Sequence, residues 1–288
     1  MEEVIIILDF GSQYTQLIAR RVREHNVYCE IMPFNTEINT IISRNPRGII
    51  LSGGPSSVFS HKAPLPSEAV FTAEIPILGI CYGLQLIAKF FKGKVSKAKK
   101  REYGHARFMV DNNNNLFHNL PASFDVWMSH GDQIENIPSG FESTGHTENA
   151  QIAAMVDANR KIFGIQFHPE VVHTPRGSDI LKNFLYRICG CSGSWTPEQF
   201  VYSSIKKIKE TVDNQRVICG VSGGVDSTVT AYLLHQAIGD RFIPIFVNNG
   251  LLRKDESQEV RRIFSLMDLH YIDASQQFLH DLKGVIDP

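Results

Sequence analysis

Two consecutive α/β units, each built on a parallel sheet, are the fold this sequence predicts, and three observations predict it. Short continuous apolar runs alternate with amphipathic stretches at helical spacing over roughly the first 90 residues, as in strands buried on both faces and joined by right-handed helical crossovers. The same alternation restarts after about residue 200. Between the two lies Gly190 to Pro197, a stretch dense in Gly, Ser and Pro, and 288 residues comfortably make two domains. The expected organisation is a first domain over 1–190, a linker over 191–199 and a second domain over 200–288.

In chain order, Val4–Leu8 is a buried strand, Asp9–Gln13 a turn, and Tyr14–Glu24 a helix with Leu17, Ile18 and Val22 on its apolar face. Val27–Met32 is a strand, Ile38–Ile42 a helix ending before Pro46, and Gly48–Leu51 a strand running into Ser52-Gly53-Gly54-Pro55. Ile75–Leu78 and Leu84–Phe91 form a strand and helix around Gly79-Ile80-Cys81-Tyr82-Gly83. From about Phe108 the pattern changes: Phe108–Val110 and Asp125–Met128 are expected as short strands, Asn112–Asn115 as a loop, and Ile152–Val156 with Ile162–Phe167 as a hairpin. Asp179–Ile188 closes the domain as a helix. Beyond the linker come helix Phe200–Val212, strand Arg216–Val221, helix Thr228–Ala237, strand Phe242–Val247, helix Glu256–Met267 and strand Leu269–Ile272.

The charges nearly cancel, 29 basic against 30 acidic, so the composition marks neither a nucleic-acid binder nor a membrane-surface protein. The basic run from Lys94 to Arg101 reads as a solvated surface loop. Five scattered cysteines do not form a disulfide framework, and Cys189-Gly190-Cys191 lacks the second half of a zinc site. No leader and no membrane-length apolar run is evident, so a cytoplasmic, reducing setting is expected.

Two stretches carry chemistry. Glycines on both sides of Cys81 suit a nucleophile elbow, a turn so tight that flanking side chains would strike the neighbouring strand or helix. A thiol at a helix N-terminus also faces the positive end of the helix dipole, which favours a thiolate. Alone, the pattern fits a small buried apolar Cys equally well. His168 is held extended by Pro169, and Glu170 two residues on shares its side of a strand, so the two supply a base and the carboxylate that orients it. Backbone N–H groups of Ser52–Pro55, notably Gly54, with that of Tyr82, could form an oxyanion hole. Ser129-His130-Gly131-Asp132 follows a strand and offers a carboxylate for a substrate ammonium. Together these residues resemble the class I, triad-type glutamine amidotransferases, and the resemblance covers the first domain. It implies a flavodoxin-like fold, Cys81 as nucleophile, His168 as base, Glu170 as its orienter, and Gln85, Ser129, His130 and Asp132 around the glutamine.

The second stretch is Ser222-Gly223-Gly224-Val225-Asp226-Ser227, between a strand and a helix. Its glycines let backbone N–H groups approach phosphate, and Ser222 and Ser227 add hydroxyl donors at a helix N-terminus. The Walker lysine is absent, and Asp226 would repel phosphate unless Mg²⁺ bridged them. The hexapeptide is similar to the signature of ATP pyrophosphatases, and Val247–Arg253 resembles the stretch that follows it there. The resemblance implies an adenine nucleotide alpha hydrolase-like α/β domain, ATP and Mg²⁺ as substrate and metal, and no tightly bound organic cofactor. A glutaminase joined to such a domain resembles the amidotransferases that adenylate O2 of xanthosine monophosphate and let ammonia from glutamine displace AMP. In that family the second domain continues further and a C-terminal region forms a homodimer. The expectation is therefore an incomplete second domain, with a non-catalytic ATP-binding or interaction fragment as the alternative.

Overall fold

The computed structural model describes residues 3–286, with 99–101 described by their backbone alone. The chain folds as two compact units, Met1–Thr196 and Pro197–Pro288. In the first, strands β1 (Val4–Asp9), β2 (Tyr28–Pro33), β3 (Gly48–Leu51) and β4 (Ile77–Ile80) alternate with helices α1 (Thr15–Glu24), α2 (Ile38–Ser43), α3 (Ala69–Thr72) and α4 (Tyr82–Phe90). There follow β5 (Lys94–Val110), β6 (Ser123–Asn136), β7 (Glu142–His146), β8 (Ala154–Asp157), β9 (Ile162–Ile165) and α5 (Gly177–Lys182), which runs on into a π-helical turn over Asn183–Ile188. The sheet order is β2-β1-β3-β4-β9-β8-β7-β5-β6. The first five strands are parallel and the rest antiparallel. The parallel part has the flavodoxin-like order that the resemblance implies.

Strand alternation distributes the helices. Ile5 and Ile7 face α1 and α5 through Ile18, Val22 and Leu181. Val4, Ile6 and Leu8 face α2, α3 and α4 through Ile41, Val70 and Ile87. From β1 the chain crosses to β2 on one side and then to β3 on the other. This leaves a crevice beyond the C-terminal ends of β1 and β3, the usual place for a ligand in such sheets.

Four local expectations need correction. Phe108–Val110 and Asp125–Met128 are not short strands but parts of β5 and β6, which pair along most of their length. The inward positions of β6 are Phe124, Val126, Met128, His130, Asp132 and Ile134, so two buried polar residues interrupt the apolar alternation. Ser129–Asp132 therefore lies within a strand rather than after one. The basic run from Lys94 belongs to β5, not to a loop (the side chains of Lys99, Lys100 and Arg101 lie outside the described residues). Finally, β9 stops at Ile165, so His168 and Glu170 sit in the turn beyond it.

The second unit contains α6 (Pro197–Val212), β10 (Val217–Gly220), α7 (Val225–Ile238), β11 (Phe242–Asn248), α8 (Glu256–Ile263), β12 (His270–Asp273) and α9 (Ser275–Asp281). Its sheet is parallel, in the order β10-β11-β12. Phe242 and Phe246 pack with Ala231 of α7 and with Val260 and Phe264 on one face. The other face leaves Ile218 70% and Ile272 49% exposed. Among the described residues, no helix is long and apolar enough to cross a membrane.

Candidate active site

The turn from β4 into α4 is set by contacts its glycines make with backbone. A Cβ on Gly79 would lie 2.6 Å from the carbonyl carbon of Gly83, and one on Gly83 would lie 2.5 Å from the carbonyl oxygen of Leu51 in β3. Close packing, rather than unusual dihedrals, therefore requires glycine at both positions. The strain falls on Cys81 between them, with φ 53° and ψ −103°. An L-residue holds such a conformation only where its surroundings impose it, at about 1–3 kcal/mol. Here Cys81 N–H donates to Ile165 of β9 at 2.8 Å, and the Cys81 carbonyl accepts from Gln85 N–H at 3.2 Å.

Cys81 is 4% exposed, His168 3% and Glu170 0%. His168 Nδ1 meets Glu170 Oε1 at 2.7 Å, and the imidazole borders the same cleft as Cys81. Burial alone would push the His168 pKa down. The adjacent Glu170 carboxylate and the Cys81 sulfur outweigh it and hold the imidazole well above its usual range. The backbone of His168 is held by β6 and by Thr174: its N–H donates to Trp127 O at 3.0 Å and its carbonyl accepts from Thr174 Oγ1 at 2.6 Å. Sequence reasoning put His168 and Glu170 on one strand face; the tight turn after β9 brings them together instead.

Gly53 and Gly54 follow β3 beside the cysteine. A Cβ on Gly53 would meet His168 Cε1 at 3.0 Å and Cys81 Cβ at 3.7 Å, and one on Gly54 would meet the Phe10 carbonyl at 2.8 Å. Tyr82 is the first residue of α4, where backbone N–H groups have no helical partner. Two clefts open on Cys81. One, of about 320 Å³, is bounded by Gly11–Tyr14, Gly54 and His168. The other, of about 530 Å³, is lined by Gly54, Tyr82, Gln85, Tyr103 and Ser129–Asp132.

The residues expected around glutamine converge on the larger cleft. Gln85 Nε2 donates to the Asp132 carbonyl at 3.1 Å, Ser57 Oγ donates to Asp132 Oδ2 at 2.5 Å, and the Ser129 carbonyl lies 3.5 Å from Cys81 Sγ. His130 is turned inward: Nδ1 meets the Asp132 carbonyl at 3.0 Å and Nε2 meets Glu102 Oε2 at 3.1 Å. Glu102 is buried and also accepts from Thr147 Oγ1 and Asn149 Nδ2. Burial would raise its pKa, but the hydrogen bonds from His130 and Asn149 lower it on balance. Sequence reasoning missed Glu102, Thr147 and Asn149, which lie far from His130 along the chain or give no local signal. It also missed Gln166, wholly buried, whose Nε2 stands 3.6 Å from Cys81 Sγ. Its only local signal was its place just before Phe167-His168.

In the second unit, Gly223 has φ +78°, and Gly224 caps α7, which begins at Val225. Ser227 Oγ accepts from Ser222 N–H at 3.2 Å, Ser222 Oγ lies 3.2 Å from it, and Gly224 N–H donates to Ser222 Oγ at 3.4 Å. Asp226 is exposed in the first turn of α7. The loop thus presents oxygen donors and a single carboxylate at a helix N-terminus. That set suits Mg²⁺ arriving with a phosphate ligand, since Mg²⁺ needs few protein oxygens. Among the described residues, no cluster of three or more His, Cys, Asp or Glu side chains could hold a metal by itself.

Comparison with known proteins places both units. The Glutamine amidotransferase class-I family matches residues 6–188, and the NAD synthase family matches residues 198–276. The glutamine-hydrolysing GMP synthase of Caldicellulosiruptor saccharolyticus is 53% identical over 289 residues, which is 99% of this chain and 57% of that protein. The glutamine-hydrolysing GMP synthase of Carboxydothermus hydrogenoformans is 51% identical over 291 residues, again 57% of its length. The chain spans a little over half the length of these curated relatives. Among solved structures, a GMP synthase subunit from Thermoplasma acidophilum is 33% identical with a TM-score of 0.61, covering 72% of this chain and 98% of that one. A glutamine amidotransferase from Thermotoga maritima, 19% identical with a TM-score of 0.55 over 66% of this chain and 99% of that one, shares the fold. By a family match across nearly all of its larger unit, and by a relative nearly all of whose length it covers, this chain belongs to the class-I glutamine amidotransferases.

Proposed function

We propose that this chain hydrolyses glutamine at Cys81 and that, in a longer protein of its relatives' kind, the ammonia converts xanthosine monophosphate to GMP. The observation that carries the first half is a buried imidazole, one nitrogen held by Glu170 at 2.7 Å, on the same cleft as Cys81. Because Nδ1 is engaged by Glu170, His168 Nε2 takes the proton from Cys81 Sγ. The thiolate attacks the side-chain amide carbon of glutamine. The resulting oxyanion takes the N–H groups of Gly54 and Tyr82, and His168 returns the proton to the departing ammonia. Water, deprotonated by His168, then attacks the glutamyl thioester; glutamate leaves and the thiol is restored. Asp132 receives the substrate ammonium, with Gln85 holding the Asp132 backbone and Ser129 beside the reacting sulfur. His130 supports this segment through Glu102 rather than touching substrate.

In the second unit, Ser222, Gly223, Gly224, Val225, Asp226 and Ser227 hold the ATP phosphates. Magnesium bound with ATP would neutralise phosphate charge beside Asp226. The nucleotide O2 attacks the ATP α-phosphorus, pyrophosphate leaves, and ammonia then displaces AMP. A reducing, cytoplasmic setting suits the five free cysteines.

The test of the glutaminase is glutamate release from glutamine by this chain beside its Cys81→Ala variant. Release that depends on Cys81 is expected; equal release from both overturns the mechanism. The GMP reading is tested in the longer protein by GMP formation from xanthosine monophosphate, glutamine and ATP, which fails if no GMP forms when all three are supplied.

A further inference from the structure

Among the described residues, three polar groups act on Cys81 Sγ, and they respond differently to loss of its proton. The Ser129 carbonyl, at 3.5 Å, accepts from the thiol and opposes the thiolate. His168 changes charge with it. The carboxamide of Gln166, with Nε2 at 3.6 Å, is a donor whose charge never changes. A neutral N–H facing sulfur gains strength when the sulfur becomes an anion.

Gln166 is built for that position. It is wholly buried, its N–H donates to Ala153 at 2.8 Å, just before β8, and the residue before it accepts the backbone N–H of Cys81 at 2.8 Å. Side chain and nucleophile therefore share one rigid frame. The other amide atom, Oε1, has no protein partner among the described residues, so the contact with sulfur is the polar interaction this side chain makes. Burying a carboxamide for a single weak N–H···S contact stabilises the fold poorly, since the unpaired oxygen offsets it. A gain arises once the sulfur carries charge.

We propose that Gln166 is a further catalytic residue of the Cys81 centre: its side-chain N–H holds the thiolate in place, both before attack and after the thioester is cleaved. This inference rests on the glutaminase reading for its purpose, but its test needs no glutamine. Alkylation of Cys81 by iodoacetamide is followed against pH by peptide mass spectrometry, with the half-exposed Cys219 of the same chain as internal reference. Gln166→Met keeps length and removes the donor. It is expected to raise the midpoint of Cys81 alkylation by about one pH unit, a roughly ten-fold slower reaction at a fixed pH below the midpoint. Gln166→Glu is expected to raise it further, and Cys219 is expected not to move. An unchanged Cys81 midpoint in a Gln166→Met protein that melts like the parent overturns the proposal. Should either variant fold poorly, the parent protein decides. The side-chain NH₂ resonances of Gln166 are expected to shift with the Cys81 midpoint and to stay fixed with pH in Cys81→Ala; resonances that ignore the Cys81 titration overturn it as well. Loss of glutamine turnover with a normal Cys81 titration would strike the glutaminase reading and leave this one standing.

Discussion

A methyl group added at Gly83 would lie 2.5 Å from the Leu51 carbonyl oxygen, against an ordinary contact distance of 3.4 Å, so backbone must yield by about 0.9 Å. The same methyl would come within 2.8 Å of Leu51 Cβ, so the strand and not a mobile side-chain tip has to move. Leu51 ends β3 and is followed directly by Ser52-Gly53-Gly54, while Gly83 is two residues past Cys81. The displacement therefore opens the distance between the sulfur and the Gly54 N–H. Misplacing reacting groups by about 1 Å costs roughly 10²-fold in rate, and overpacking a core costs about 1–3 kcal/mol in stability. Gly83→Ala is expected to remain folded, to melt earlier, and to release glutamate about 100-fold more slowly at saturating glutamine. The assay pairs glutamate release with thermal unfolding of the same samples. Parental turnover in Gly83→Ala would refute the claim that this backbone contact fixes the spacing of nucleophile and oxyanion donors.

Glu170→Gln removes the carboxylate that sustains imidazolium at His168. Because the folded His168 pKa lies above the ordinary 6.5, the ion pair contributes fully below that value and fades as pH rises through the folded one. Urea unfolding should show parent and variant furthest apart near pH 6, by about 3–5 kcal/mol, and closer at pH 9; a constant gap would contradict the assignment. Glu102→Gln weakens the support of His130 and the Asp132 segment. It should raise KM for glutamine about ten-fold with a smaller change in kcat, as steady-state kinetics will show. Asp226→Ala should abolish the Mg²⁺ dependence of ATP binding measured by calorimetry, while unaltered Mg²⁺ dependence would remove Asp226 from that role.

The parallel core and the elbow were legible because they are local. Apolar runs such as Val4–Leu8 and Gly48–Leu51 report burial on both faces, and Gly79, Cys81 and Gly83 report a turn within five residues. The long β5–β6 pair was not, because His130 and Asp132 take inward positions where alternation calls for apolar residues. The supports of the site were illegible for a related reason. Glu102 lies 28 residues from His130 and 45 from Thr147, and only the sheet's register brings them together. Cys81 and Gln166 are 85 residues apart and meet because β4 and β9 are neighbours. β7 escaped notice too, since Glu142-Ser143-Thr144-Gly145-His146 has no apolar residue to announce it.

The positive φ at Cys81 sets two kinds of fitness against each other. Glycine is the residue that this backbone would choose, and the side chain that the chemistry needs is one that the turn resists. A population screened for heat resistance alone would find relief in Cys81→Gly and lose its nucleophile in the process, whereas Cys81→Ala would keep the strain and lose the chemistry as well. Inactive glycine variants that outlast their alanine counterparts on heating would therefore measure the stability that the turn gives up to present its sulfur.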